Sequence, residues 1–458
     1  MVFTQYYLEC LSQASYLVGD ETSGLAVVVD PRRDVGEYVR DAEAAGLRIA
    51  YVIETHVHAD FLSGHLELAS KTGADIVYGE AVDTEIPVRR AVDGERIELG
   101  EVTLEVLATP GHTPESISIV VWERPDDEVP YGVLTGDTLF IGDVGRPDLL
   151  SSVGVTAEDL AGRLYESLHD KLLTLPDDTR VFPAHGAGSA CGKNLSTETS
   201  STIGIQRRTN YALAPMTKDR FVEVVTEGQP SAPAYFSYDA EANRTPHDLL
   251  DDQAPTVLDL DAVLAAQADG AVVLDVRGPT DFACGHLAGS VNVGLDGRFA
   301  EAVGNVVAPT DQIALVADEG QGAEARVRLG RIGFDNVVGV IEGPEAGLAA
   351  RSEVSRRASR VTAAELDQLR AADQPLQILD VRGPGERLEG AIDGSLHIPM
   401  AELRSRADEI DPEVPIVVHC AGGYRSSIAA SWLRAHGADD VSDLLGGYGA
   451  WADQHAPA

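Results

Sequence analysis

Four times along this chain, residues able to ligate a metal stand just past a short apolar run. The richest case is Thr55-His56-Val57-His58-Ala59-Asp60-Phe61, which follows Arg48-Ile49-Ala50-Tyr51-Val52-Ile53. Pro110-Gly111-His112-Thr113-Pro114 follows Val102 to Leu107, and Thr135-Gly136-Asp137 follows Tyr131 to Leu134. Pro183-Ala184-His185-Gly186 follows Arg180-Val181-Phe182. The runs read as buried strands, and a rigid sheet lets the loops at its edge aim side chains at one point. In an extended segment, His56, His58 and Asp60 share a side. Imidazole and carboxylate together suit zinc or iron. A merely solvated polar loop gives no reason for matching ligand types at three further strand ends.

With these motifs, residues 1 to 215 resemble the metallo-β-lactamase superfamily. The resemblance implies two β-sheets packed face to face, helices outside, and metal at one sheet edge. One position departs from the superfamily's hydrolases, such as hydroxyacylglutathione hydrolase, which carry histidine directly after the aspartate of the first motif. Here that position is Phe61. Phenylalanine cannot ligate, so a two-metal site loses a ligand, whereas one metal can still be held by His56, His112 and Asp137. Two histidines and one carboxylate suit non-haem Fe(II) and oxygen. The set, with Leu62-Ser63-Gly64-His65-Leu66, resembles persulfide dioxygenases fused to rhodanese domains. By that resemblance His58, Asp60 and His185 orient the ligands or the substrate, and His65 is structural. Arg146, in Gly145-Arg146-Pro147-Asp148, either holds a substrate carboxylate or pairs with Asp148 or Asp143. Cys191, in Gly188-Ser189-Ala190-Cys191-Gly192, either relays sulfur or packs.

At 458 residues the chain exceeds one core, and two to four domains are expected. No run of about eighteen apolar residues predicts a membrane helix, and the first residues lack a signal-peptide pattern, so a cytoplasmic protein is expected. Acidic residues outnumber basic ones 74 to 35, a net charge of −39, which disfavours nucleic acid and anionic membranes as partners. Only Lys71, Lys171, Lys193 and Lys218 are lysines. Acid excess with scarce lysine resembles proteins of salt-accumulating halophiles, in which salt screens the self-repulsion. Cys10, Cys191, Cys284 and Cys420 are too few and scattered for a disulfide framework.

Strands are expected at Leu25 to Asp30, Ala74 to Tyr78 and Ser116 to Trp122, and helices at Val35 to Ala45, Phe61 to Lys71, Ala157 to Leu173 and Ser196 to Leu213. Residues 228 to 256 lack periodicity and read as the tail and linker of a first domain, 1–250. An internal repeat follows. Ala271 to Pro279 matches Leu376 to Pro384, each containing Leu-Asp-Val-Arg-Gly-Pro, and Gly289-Ser290 falls opposite Gly394-Ser395. The two units, 256–350 and 356–458, resemble rhodanese domains, with parallel sheets between helices. The fold class expected is therefore α/β multidomain: a metallo-β-lactamase αββα sandwich followed by two rhodanese-like domains.

In the second unit Pro415 to His419 is a strand that runs into Cys420-Ala421-Gly422-Gly423-Tyr424-Arg425 and a helix from Ser426 to Ala435. A cysteine before a helix N-terminus, ringed by backbone N–H groups, favours thiolate. Gly422 and Gly423 allow the tight curl, and Arg425 adds positive charge. Cys420 is thus the candidate nucleophile, on a loop that resembles the active loop of single-domain rhodaneses. In the first unit Ala317 or Asp318 stands at that position, so this unit is expected to be catalytically silent, and Cys284 reads as incidental.

The resemblances imply one Fe(II) per chain, with zinc as the alternative. They also imply oxidation of a low-molecular-weight thiol persulfide by O2 to sulfite and thiol, with persulfide sulfur transfer at Cys420 and thiosulfate as a final product. The alternatives are a zinc thioester hydrolase fused to a sulfurtransferase and a sulfur-binding scaffold for a partner. Whether the chain forms a homo-oligomer is left open.

Overall fold

The computed structural model describes all residues except 150–154, 194, 230, 252, 373 and 457–458. The chain divides into two units, Met1–Ala232 with Phe236–Asp251, and Pro233–Tyr235 with Asp252–Ala458.

The first unit contains two six-stranded sheets. One runs in chain order: β1 (Val2–Leu8), β2 (Gln13–Asp20), β3 (Leu25–Val29), β4 (Arg48–Ile53), β5 (Asp75–Gly79) and β6 (Arg89–Ala91). The other is built from β7 (Arg96–Glu98), β8 (Thr103–Ala108), β9 (Ile117–Trp122), β10 (Gly132–Gly136), β11 (Arg180–Pro183) and β12 (Ser201–Thr202), in the order β12-β11-β10-β9-β8-β7. Alternate residues face inward, as the period of two requires. Val18, Val27, Val29, Ile53 and Val77 of the first sheet meet Leu104, Val106, Ile119, Val121 and Leu134 of the second in one core cluster. The opposite faces are covered by helices. Tyr38 and Ala42 of helix Gly36–Ala44 pack with Ala26 and Val28, and Ala161, Leu164 and Leu168 of helix Ala157–Asp170 pack with Val133 and Val181. The layers are the αββα sandwich that the motifs implied.

Three expected helices are shorter than their patterns. The helix predicted from Phe61 begins at His65, because Ser63 N–H is held by Asn243 Oδ1 and Gly64 N–H by Pro31 O. The helix over 157–173 ends at Asp170. The segment 196–213 instead gives β12, helix Ile203–Thr209 capped by the Thr202 hydroxyl, and a short turn at Tyr211–Leu213. The segment read as a linker, of which Pro230 and Asp252 lie outside the described residues, contains helix Phe236–Ala242 and the buried Asn243.

In the second unit the first repeat is built on β13 (Val272–Asp275), β15 (Val291–Asn292), β16 (Ile313–Ala317) and β17 (Val337–Glu342), a parallel sheet in the order β15-β13-β16-β17. A small ladder joins β14 (His286–Leu287) to β18 (Ser355–Arg356). The second repeat is built on β19 (Ser359–Val361), β20 (Gln377–Asp380), β21 (Leu396–His397), β22 (Ile416–His419) and β23 (Val441–Leu444), a parallel sheet in the order β19-β23-β22-β20-β21. Register now fixes the correspondence. Asp275 pairs with Val316 and Asp380 with His419, so Ala317 is the counterpart of Cys420. Among the described residues no helix is long and apolar enough to cross a membrane.

Candidate metal centre and cysteine loop

The loops leaving β4, β8, β10 and β11 converge at one edge of the sandwich. They bring His56, His112 and Asp137 together, with one ligating atom from each within 4.8 Å of the others. Nε2 of His56 is 3.8 Å, and Nε2 of His112 3.6 Å, from Asp137 Oδ2. All three residues are buried.

Hydrogen bonds behind the rings decide which nitrogens are free. Thr55 Oγ1 donates to Asp30 Oδ2 at 2.9 Å, so its oxygen accepts Nδ1–H of His56, also at 2.9 Å. Nδ1–H of His112 donates to Arg146 O at 2.8 Å. Each ring therefore turns Nε2 toward Asp137 Oδ2, a buried oxygen with no hydrogen-bond partner among the described residues. Burial and the neighbouring His58 hold His56 well below the usual imidazole range, which keeps its Nε2 lone pair free. Two imidazoles and an orphaned carboxylate oxygen fit a divalent metal ion.

Asp60 and His185 form the adjoining wall. His185 Nδ1 is 2.7 Å from Asp137 Oδ1 and Nε2 is 2.8 Å from Asp60 Oδ2. Burial disfavours its charged form, but the two carboxylates outweigh burial and raise it well above the usual range. Burial also opposes ionisation of Asp137, yet His185, His56 and His112 hold its carboxyl well below the usual range. The Cys191 thiol lies with Asp60 and His185, and burial with the nearby Asp60 and Asp137 pushes it well up. Arg146 Nε and Nη2 fork onto Asp148 at 2.8 and 2.7 Å, and Nη1 donates to Ala190 O.

His58 lies beside the trio, its ring 4.1 Å from that of His56. Nε2 is 3.1 Å from Asp30 Oδ1 and 3.3 Å from Glu54 Oε2. Burial lowers its basicity, but the two carboxylates reverse this and raise it to about 10. Phe61 is fully buried with its ring 4.3 Å from that of His58. Three groups escaped the sequence reading. Asp30, at φ +50, takes the N–H and hydroxyl of Thr55, and it stands at a strand end like the ligands, a signal that could have found it. Glu115 accepts Val57 N–H at 3.0 Å. Asn243 donates to His58 O and Phe61 O and accepts from Ser63 N–H, each at 2.8 Å, and no local pattern marks it.

In the last repeat Cys420 is buried beneath a loop whose residue Ala421 is exposed, as is Gly422. Gly423 N–H donates to its sulfur at 3.1 Å, and Ser426 Oγ lies 3.6 Å away. Gly423 adopts φ +106, which a side chain would strain. The helix begins at Tyr424, two residues earlier than expected. Arg425 does not stand as a free charge: it forks onto Glu386 at 2.7 and 2.6 Å. Gly447, at φ +58, passes so close that a Cβ there would lie 2.4 Å from Cys420 O.

Comparison with known proteins agrees with both regions. The family described as the metallo-beta-lactamase superfamily matches residues 8–185, and the rhodanese-like domain matches 259–346 and 362–454. Persulfide dioxygenase ETHE1, mitochondrial, of Homo sapiens is 31% identical over 237 residues, covering 50% of this chain and 82% of that protein. The cytoplasmic hydroxyacylglutathione hydrolase of Arabidopsis thaliana is 34% identical over 183 residues, covering 39% of this chain and 66% of that protein. A solved metallo-beta-lactamase from Staphylococcus aureus subsp. aureus COL superimposes with a TM-score of 0.67 at 34% identity, covering 74% of this chain and 98% of that one. The chain belongs to the metallo-beta-lactamase superfamily, with an ETHE1-like front domain followed by two rhodanese-like domains.

Proposed function

We propose that the front unit is an iron-dependent persulfide dioxygenase and that Cys420 transfers sulfur from the same kind of small thiol persulfide. One observation carries the reading: His56, His112 and Asp137 bring their donor atoms to one point, while Phe61 stands where a second metal would need an imidazole. Bound there, Fe(II) supplies redox chemistry toward O2 with coordination positions to spare. The chain's own residues orient the donors through Thr55, Asp30 and the Arg146 carbonyl, and the His185–Asp60 pair holds Asp137 from its other oxygen. The net reaction is RSSH + O2 + H2O → RSH + SO3²⁻ + 2H⁺.

At the last domain the Cys420 thiolate attacks the outer sulfur of RSSH, the S–S bond breaks, and RSH leaves with the proton. Sulfite then takes that sulfur as S2O3²⁻ and restores the thiolate. One chain carrying both centres raises the effective concentration of the shared persulfide and sulfite. The acid excess supports a working medium of high ionic strength, and four free thiols support a reducing, cytoplasmic compartment.

The test is metal analysis of protein purified without oxygen or chelator, together with oxygen uptake on glutathione persulfide. One iron per chain is expected, with Asp137→Ala abolishing uptake but leaving thiosulfate:cyanide sulfur transfer intact. Zinc, thioester hydrolysis and no oxygen uptake would establish the hydrolase instead. Equal handling of persulfide by apo and metal-loaded protein would leave only a scaffold.

A further inference from the structure

The helix that follows the cysteine loop, Tyr424–Ala435, is buried at eight consecutive residues from Ser426 to Leu433. A helix lying on one sheet keeps an exposed face. Burial all round requires a second partner, and the partner is β15, the edge strand of the first repeat. An edge strand presents unpaired backbone groups. Here Asn292 N–H donates to Ser431 Oγ at 2.9 Å, and Ser431 Oγ lies 3.5 Å from Asn292 O. Two residues on, Gly294 O accepts from Tyr424 Oη at 3.2 Å. Arg404 adds a third tie, donating to Val307 O at 3.2 Å.

These ties lead to the sulfur. Tyr424 directly follows Gly423, whose N–H faces Cys420 Sγ. On the far side, Asn292 Nδ2 donates to Asp275 O and Arg277 O, each at 2.9 Å, and so locks the end of β15 to β13. The first repeat, which has Ala317 in place of a nucleophile, is thus rigidly connected to the donor that meets the nucleophile of the second.

We propose that the first rhodanese-like repeat is a positioning element for Cys420: through Asn292 and Gly294 it fixes Ser431 and Tyr424, and with them the Gly423 N–H aimed at the sulfur. The proposal rests on sulfur transfer at Cys420. Donor placement matters because a shift of about 1 Å in a preorganised site costs up to about a hundredfold in rate.

The test uses the full chain and two variants on opposite sides of the contact, Tyr424→Phe and Asn292→Ala. It reads thiosulfate:cyanide transfer and the pH profile of Cys420 alkylation by iodoacetamide, located by peptide mapping. Each variant is expected to lower kcat about tenfold with little change in KM. Each should also shift the alkylation midpoint upward, and Ser431→Thr should behave as wild type where Ser431→Ala does not. Folded variants with wild-type kcat and an unchanged alkylation profile would overturn the proposal. If Asn292→Ala fails to fold, Tyr424→Phe, which removes one oxygen atom, decides the matter alone. If the wild type shows no Cys420-dependent transfer, the sulfurtransferase reading falls, while the alkylation profiles still judge the positioning claim.

Discussion

The two rhodanese-like repeats share a scaffold and differ at one loop. In each, a buried aspartate at the end of a central strand forks onto an arginine two residues later: Asp275 with Arg277, and Asp380 with Arg382. In each, the residue paired with that aspartate, Val316 or His419, leads into the loop. There they part. In the second repeat the Gly423 N–H turns to a thiol sulfur. In the first, Gly320 N–H and Gly322 N–H both donate to the carboxylate of Glu342, at 3.0 Å each. Ala317 pairs with Glu342, and continuing the second repeat's ladder past its last pairs puts uncharged Leu445 at that place. The loop of the first repeat therefore differs by more than the missing cysteine: two of its N–H groups are already satisfied by a carboxylate of the same domain.

The comparison can be broken most sharply at Cys420. Cys420→Ser should lower thiosulfate:cyanide transfer by at least about 10³-fold while oxygen uptake persists. In that background Ala317→Cys alone should remain inert, whereas Ala317→Cys with Glu342→Leu should alkylate at least about tenfold faster than the single variant, as read by mass mapping of the new thiol. Equal reactivity of the two would show that Glu342 does not keep the loop silent.

A smaller effect tests what the repeats share. Asp275→Asn and Asp380→Asn each leave a buried guanidinium without its fork partner, and urea unfolding should show a loss of about 3–5 kcal/mol in both. An unequal loss would mean that the extra contact from Arg387 to Asp380 carries the second repeat.

The smallest effect is acid sensitivity. Burial depresses His286 in the first repeat and His419 in the second to about 4 each. Folded protein then binds fewer protons than unfolded protein once the pH falls below the ordinary imidazole value. Stability is full above about 6.5 and declines toward pH 4, by up to about 3 kcal/mol per histidine. His286→Gln and His419→Gln should each flatten part of that decline in a pH series of melting curves.

The sequence showed the sandwich and the repeat, and singled out the candidate trio that the fold brings together, because those features are written in short-range pattern. Ligand types at strand ends reveal His56, His112 and Asp137, and Leu-Asp-Val-Arg reveals the second sheet family. What it hid was set by tertiary contact. Asn243 meets residues 180 to 185 positions earlier, and Ser431 caps an edge 139 positions away. Glu342 looks like any strand-end acid until the parallel ladder places it against Ala317. Helix lengths failed for the same reason: the apolar pattern from Phe61 continues, but Asn243 and Pro31 hold the backbone at Ser63 and Gly64 in a turn.

Asn243 also says where the chain can be cut. Its amide fastens the strand-end loop at three backbone points, and Leu250 N–H is fastened in turn to Glu67. A fragment ended at Gly228, where the composition turns toward linker residues, would retain every candidate ligand and lose the stitch that seats them. Excision past Asp251 would keep it, so the front unit's boundary lies well beyond the one its composition advertises.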